Sequence, residues 1–398
     1  MAILVVDKIE DGKVPFLRGI LTRSLLSAGL PFDEAYKLAD KVKSEVSDRK
    51  GDKGEITTEE IESIVVSHLR KRKDQAVADQ YLHRGEKSIP INVFDRDGQP
   101  QPFSKGHLSQ ALEICAFSQE KSYAITSAIE HSLVSSGRKD ISSTELARLT
   151  YKYLLDHESP DIAKRYVTWV EFSRDGSPLV LLVGGTTGSG KSTISSEIAH
   201  RLNIVRTQST DMLREVMRMM MPKRLVPTLH TSSYTAWTVL PSSQEDPVSF
   251  DTHMESGYLT QARQVAVGIE AVLQRAEREH VSMILEGVHI NPELQRQFVE
   301  DSDAVIVPFI LAVVKRKKLR KHLKGRGQQV ASRRSENYLK YFESIWRLQS
   351  FLLSEADRHS IPIIPNVDED ETIQEVMSTI SAVLETRYDG DPKKAFKD

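Results

Sequence analysis

Cysteine is all but missing from this chain of 398 residues. The single Cys115 excludes a disulfide within the chain and suits a reducing compartment. It sits in the apolar phrase LEICAF, where a lone cysteine reads as a small core residue. Long apolar runs are missing too. No stretch approaches the roughly 20 apolar residues of a membrane-spanning helix. The opening MAILVVDKIEDGK has an apolar run too short for a secretory leader and no basic residue ahead of it. Neither charge sign dominates: 54 Lys and Arg face 56 Asp and Glu. A net charge of −2 excludes a general pull toward nucleic acid or a membrane surface. No spacing of His, Cys or acidic residues reads as a zinc site. The expectation is a soluble cytoplasmic protein of two or three domains.

What is present first is a repeat. ILVVDKIEDGKVPFLRGILTRSLLSAGL is matched by INVFDRDGQPQPFSKGHLSQALEICAF. Pro15-Phe16 aligns with Pro102-Phe103, Gly19 with Gly106, Leu21 with Leu108, Leu25 with Leu112 and Tyr36 with Tyr123. Further on, EITTEEIESIVVSHLR faces DISSTELARLTYKYLL, and Ala78 and Tyr81 face Ala163 and Tyr166. Asp-Gly turn chemistry opens each unit, helical periodicity follows, and a Thr or Ser before an acidic first turn caps a later helix. Each unit reads as a hairpin-like start and about four helices, with the joint at His83 to Pro90. The phrase VFDRDG…PF with the final A…Y resembles the ATP-cone, a small nucleotide-sensing module of ribonucleotide reductases and their regulator. The resemblance implies nucleotide phosphates near the turn and the first helix, where Arg96 and Lys105 are the nearest cations. The lysine usual just before the first helix's leading apolar residue is Ile20 in one unit and His107 in the other.

After Pro178 the pattern changes. LVLLV is a continuous apolar run, as expected of a parallel strand covered on both faces. Gly185, Thr186, Thr187, Gly188, Ser189, Gly190, Lys191 and Ser192 then fit G-x-x-x-x-G-K-[ST] in full, with Thr193 behind them. Glycines let backbone N–H groups approach phosphate oxygens. The following helix adds partial positive charge at its start. Lys191 suits β- and γ-phosphates, and Ser192 suits Mg²⁺. Strands at NIVRTQSTD, VSMILEG, AVIVPFILAV and HSIPIIPN, with helices between, predict a doubly wound parallel sheet whose chemistry lies at the carboxyl ends of its strands.

Those ends carry the chemical residues. Asp211 follows the second strand, placed to orient or deprotonate an acceptor hydroxyl, to help with Mg²⁺, or to cap a helix with Thr210. Arg214 and Arg218 share the face behind it. Glu286 ends the third strand as the acidic partner for Mg²⁺, and His289 in the next loop is a candidate substrate contact. Eight of the twelve residues from Lys315 to Arg326 are Lys or Arg. That run reads as a solvated helix face with Leu319 and Leu323 inward, as a nucleic-acid surface, or as a kinase lid. Its place after the fourth strand and the lack of interleaved aromatics favour the lid, with Arg326, Arg333 and Arg334 as its contacts. No NKxD guanine signature is present, which favours ATP over GTP. Between strands two and three, His230, Ser232, Ser233 and Tyr234 are candidate contacts to a small anionic acceptor.

The set GGTTGSGKST, STDMLREVMR, LHTSSYTAW, LEGVHINP and IIPNVDE is similar to the 2-phosphoglycerate kinase family, which places an ATP-cone-like region before a P-loop kinase domain. The resemblance implies ATP-dependent phosphorylation of 2-phosphoglycerate to 2,3-bisphosphoglycerate; the residues themselves point to Mg²⁺ and to Lys191, Asp211 and Arg326 as the catalytic set. Another phosphorylated polyol, such as an inositol phosphate, stays open as acceptor, and so does a regulator that binds ATP without a metabolite. The expected domains are cone-like units at 1–84 and 85–170 and a kinase domain at 171–398. Self-association through the duplicated units is a further expectation.

Overall fold

The repeat appears twice in a computed structural model of the chain, as two small sheets of one strand order. The structure describes residues 4–7, 12–16, 18–28, 30, 32–50, 54–71, 77–78, 81, 91–241, 249–329 and 335–397. In the first copy, β1 (Leu4–Asp7) and β2 (Gly12–Pro15) pair antiparallel with Asp7 opposite Gly12. Helices α1 (Arg18–Ser27) and α2 (Phe32–Lys50) follow, then β3 (Glu55–Thr57) and α3 (Thr58–Lys71). In the second, β4 (Asn92–Phe94) and β5 (Pro100–Pro102) lead to α4 (Lys105–Glu113) and α5 (Gln119–Ser135). Then come β6 (Asp140–Ser142), α6 (Ser143–His157) and α7 (Pro160–Asp175). The orders β2-β1-β3 and β5-β4-β6 are the same. The sequence reading took β3 and β6 only as capping signals. Each is three residues long, and β3 forms because β1 supplies a parallel partner.

The caps themselves are closed in both copies. Glu60 N–H donates to Thr57 Oγ1 at 3.2 Å while Thr57 N–H donates to Glu60 Oε2 at 2.9 Å. Ser142 and Glu145 repeat the exchange at 3.1 Å in both directions. The paired Ala78 and Tyr81, and Ala163 and Tyr166, are all buried. The expected joint at His83 to Pro90 lies outside the described residues.

The third region is a five-stranded parallel sheet. Along the chain it consists of β7 (Leu179–Gly184), α8 (Lys191–Arg201), β8 (Arg206–Ser209), α9 (Thr210–Met220) and the long α10 (Phe250–Arg278). Next are β9 (Met283–Glu286), α11 (Pro292–Asp301), β10 (Val305–Ala312), α12 (Arg316–Gln329) and α13 (Ser335–Lys340). Helix α14 (Phe342–Arg358), β11 (Ile363–Pro365), α15 (Glu369–Arg387) and α16 (Pro392–Ala395) complete it. The order is β11-β10-β7-β9-β8. Every residue of β7 and β10 is buried, which explains their unbroken apolar runs. Glu286 lies opposite Val183 on one side and Ser209 on the other, so the ends of β7, β9 and β8 are level. That register brings the glycine-rich loop, Glu286 and Asp211 to one edge of the sheet.

The chain divides into two compact units, Met1–Asn92 and Val93–Asp398. The second unit contains the second three-stranded region as well as the large sheet. Within it, Ser381 Oγ of α15 donates to the Ile114 carbonyl at 2.8 Å, and Arg148 donates to the Phe396 carbonyl at 3.0 Å. Glu113 at the end of α4 faces Arg201 at the end of α8 at 3.6 Å, with both side chains 8% exposed. Burial pushes the Glu113 carboxyl above the usual range despite that arginine.

Candidate active site

The loop between β7 and α8 is built on glycine geometry. Gly185 has φ +138° and Gly190 has φ +93°. A Cβ on Gly185 would overlap the Leu311 carbonyl, and one on Gly190 would overlap the Asn366 amide. Both positions therefore require glycine for conformation and for space. Lys191 is 6% exposed and donates to the Thr186 carbonyl at 2.9 Å, folded back across the loop. Ser192 Oγ donates to Glu286 Oε1 at 3.0 Å. This hydroxyl–carboxylate pair offers a hard cation two oxygen ligands. Among the described residues no group of three or more His, Cys, Asp or Glu is placed to hold a metal ion. A divalent ion here would take most of its shell from phosphate and water, which suits Mg²⁺.

A cavity of about 580 Å³ opens on one side of the loop, lined by Gly188, Gly190, Ser192, Thr193, Lys318, His322 and Asn366 to Glu369. The walls are held by their own backbone. Asn366 Nδ2 donates to the Ser189 carbonyl at 2.9 Å, and Lys318 Nζ reaches the carbonyls of Asn366, at 3.0 Å, and Val367. His322 Nδ1 lies 3.0 Å from the Gly188 carbonyl.

On the other side lies a cavity of about 430 Å³, lined by Thr187, Ser209, Asp211, Met212, Arg214, Glu215, Ser232, Ser233, Tyr234, Val288 and Tyr338. Four of the expected acceptor contacts, Arg214, Ser232, Ser233 and Tyr234, meet Asp211 here. Ser209, not Thr210 or Asp211, caps α9, its hydroxyl accepting from Asp211 N–H at 3.2 Å. The Asp211 side chain is thereby released and stands 61% exposed. Arg214 spends one guanidinium nitrogen on the carbonyls of Leu229 and Thr231, each at 2.9 Å, and lies 3.8 Å from Asp211. It holds the loop as well as lining the cavity. Burial raises the Tyr234 phenol above its ordinary value, and its ring packs against Tyr338 and Tyr341.

Three expected contacts are elsewhere. Arg218 pairs with Glu215 at 2.8 Å, and His230 Nε2 lies 2.9 Å from the Met221 carbonyl; neither lines the cavity. His289 is corrected outright: it is fully buried, with Thr210 Oγ1 at Nδ1 and Gln261 Oε1 at Nε2. Burial pushes its pKa down to about 4, so the ring is neutral. In α12, Leu319 and Leu323 are buried and Arg316, Lys317, Arg320, Lys321 and Lys324 are exposed, as is Lys315 just before it. The side chain of Arg326, with Arg333 and Arg334, lies outside the described residues.

In the second three-stranded region, a cavity of about 250 Å³ is lined by Asp95, His107 and mainly apolar neighbours, without Arg96 or Lys105. Lys105 is 2.5 Å from Glu130 and lies over the Tyr123 ring. The equivalent Arg18 is 2.9 Å from Asp40 and lies over Tyr36. Both cations staple the first helix of their copy to the second.

Gln261, Tyr338, Lys318 and His322 were missed by sequence reasoning. Gln261 and Tyr338 lie in helices without a motif, Lys318 and His322 lie inside the basic run where other residues were singled out, and all four take their places because α10, α12 and α13 pack around the strand ends. Asn366 lies in the phrase IIPNVDE, but nothing local ties it to the glycine-rich loop.

The ATP cone domain model matches residues 4–87 and 91–175. A 2-phosphoglycerate kinase of Methanopyrus kandleri is 38% identical over 79% of this chain and 94% of its own length. Those of Thermococcus kodakarensis and Pyrococcus furiosus are 36% and 33% identical, over 71% and 73% of this chain and 94% and 93% of theirs. Nearly all of each relative is matched, while a share of this chain about the size of one cone unit is left over. With identity at this level across almost the whole of each relative, the chain belongs to the 2-phosphoglycerate kinase family.

Proposed function

We propose that this chain is a P-loop kinase that transfers the γ-phosphoryl group of ATP to the free hydroxyl of 2-phosphoglycerate, giving 2,3-bisphosphoglycerate and ADP. One observation carries the reading. Two cavities meet at a single glycine-rich loop, with Thr187 facing one and Gly188, Gly190 and Ser192 facing the other. A donor in the larger and an acceptor in the smaller would meet at Lys191 and Asp211.

In this reading the loop amides and the start of α8 hold the phosphates. Lys191 leaves the Thr186 carbonyl for the β- and γ-phosphates. Ser192 and Glu286 would hold Mg²⁺, which when bound neutralises charge on the phosphates. Asp211 accepts a hydrogen bond from the acceptor hydroxyl. As the new O–P bond forms and the bond to the β–γ bridging oxygen breaks, the hydroxyl proton passes to Asp211. Ser232, Ser233 and Tyr234 donate to the acceptor's oxygens. A carboxylate and a phosphate on one small molecule need cations, and Arg214 with the lid residues Arg326, Arg333 and Arg334 would supply them. Arg218, His230 and His289 drop out of the acceptor set. The residues act by positioning and electrostatics rather than by covalent chemistry.

The test is a panel of acceptors in a coupled ADP-release assay: 2-phosphoglycerate, 3-phosphoglycerate, glycerate and inositol phosphates. Turnover is expected with 2-phosphoglycerate, with a product one phosphoryl group heavier by mass spectrometry. Turnover of an inositol phosphate with none of 2-phosphoglycerate would overturn the acceptor.

A further inference from the structure

Behind the acceptor cavity runs a chain of three fully buried polar side chains: Thr210, His289 and Gln261. They come from the start of α9, the loop after β9 and the middle of α10. Their proton order follows from the hydrogen bonds. Gln261 Nε2 donates to the Thr228 carbonyl at 2.5 Å and to the Thr231 carbonyl at 3.0 Å. Turning the amide over would set Oε1 against those same two carbonyls, so its orientation is fixed. Its Oε1 then faces His289 Nε2 at 3.2 Å and can only accept. Nε2 therefore carries the proton. A ring buried this deeply is neutral, which leaves Nδ1 bare, and it accepts from the Thr210 hydroxyl at 2.9 Å.

The chain ends where the proposed chemistry begins. Thr210 directly precedes Asp211. Gln261 and Arg214 both grip the Thr231 carbonyl, next to Ser232, Ser233 and Tyr234. A Cβ on Gly287 would overlap Thr210, so the start of α9 is pressed against the residue that follows Glu286. An exposed carboxylate such as Asp211 cannot fix its own position. Directional bonds in a dry interior can fix it, because each has one satisfied arrangement and any slip leaves a buried group unpaired. Resting on the reading of Asp211 given above, we infer that Thr210, His289 and Gln261 are positioning residues. They form a clamp that runs from the Thr210 hydroxyl to His289 Nδ1 and from His289 Nε2–H to Gln261 Oε1. The clamp sets Asp211 against the acceptor loop and beside Glu286.

Thr210→Val keeps the shape and removes the donor. On whichever acceptor the panel identifies, kcat should fall about 10- to 100-fold, the cost of a small misplacement of a catalytic group. The KM for ATP should stay within about twofold, and Thr210→Ser should restore most of kcat. An unchanged kcat in the valine variant, or no recovery in the serine variant, overturns the clamp. If the valine variant does not fold, two replacements of the ring separate its arms. His289→Asn keeps an acceptor for Thr210, and His289→Gln keeps a donor to Gln261. The asparagine variant should hold the higher kcat, and the reverse order overturns the inference. Nitrogen-15 NMR of the labelled full chain at neutral pH should give His289 as the neutral Nε2–H tautomer, and an Nδ1–H ring overturns it with no acceptor present. A different acceptor in the panel would alter the proposed substrate and leave these outcomes unchanged.

Discussion

The two cavities that meet at the glycine-rich loop are made of different material. The larger is shaped by backbone: glycines that admit no Cβ, and Asn366, Lys318 and His322 turned onto carbonyls. The smaller is shaped by side chains from separate loops: Asp211, Glu215, Ser232, Ser233, Tyr234 and Tyr338. A backbone cradle recognises phosphate, which every nucleoside triphosphate carries. A side-chain cavity recognises one molecule. In the proposed reading, nucleotide binding therefore leaves a compact motif in the sequence, while acceptor choice is scattered along it.

Breaking the shared boundary should have the largest effect. Lys191→Ala is expected to lower kcat/KM for both substrates about 100- to 1,000-fold, as loss of a charge-stabilising donor does. The melting temperature should hardly move, and near-normal turnover in a folded variant would remove Lys191 from the chemistry. Asp211→Asn separates the two sides. Its kcat should fall about 100-fold or more, with ATP affinity by calorimetry unchanged. A change in ATP affinity instead would place Asp211 on the nucleotide side. Gly190→Ala tests the opposite wall. The φ of +93° and the overlap with Asn366 should cost about 1–3 kcal/mol, seen as weaker ATP binding. Acceptor KM measured at saturating ATP should stay the same, and if it rises as much as the ATP KM, the cavities are not separable.

The smallest effect concerns the contact of Glu113 in α4 with Arg201 in α8. Glu113 has a raised pKa, so the fold binds its proton more tightly than the unfolded chain does. Stability from this group therefore grows as pH falls through the folded value toward the ordinary carboxylate range, and its ionised form at neutral pH is a cost. Glu113→Gln should leave stability unchanged or raise it by about 1 kcal/mol at neutral pH. It should also flatten the dependence of melting temperature on pH above the ordinary carboxylate range. Arg201 keeps Glu197 at 2.9 Å in either case. A strong loss of stability would mean that the attraction to Arg201 outweighs burial.

Much of the fold was legible in short-range pattern. The unbroken apolar runs of β7 and β10, the capping boxes at Thr57 and Ser142 and the buried pairs at Ala78 and Ala163 all follow from local chemistry. The third strand of each cone-like region was not legible, because three residues carry no period and β3 is defined by β1. Within the candidate site, the places of Asp211 just after one strand and Glu286 at the end of another were readable from the sequence. Tyr338, Gln261 and Asn366 escaped because each is ordinary in its own segment. Arg214 illustrates the limit of residue type: a guanidinium behind Asp211 reads as an anion contact, and the structure also commits it to two carbonyls.

The sequence by itself determined the internal repeat, the alternation of strands and helices and the glycine-rich loop, because each depends on neighbours within a few residues. The tertiary structure decided that Ser209 caps α9 and frees Asp211. It also took His289 out of the cavity to join α9 and α10, and packed the second three-stranded region into one unit with the large sheet. Those outcomes depend on which distant surfaces meet. Level strand ends and buried hydrogen bonds settle that, and no stretch of the chain records it alone.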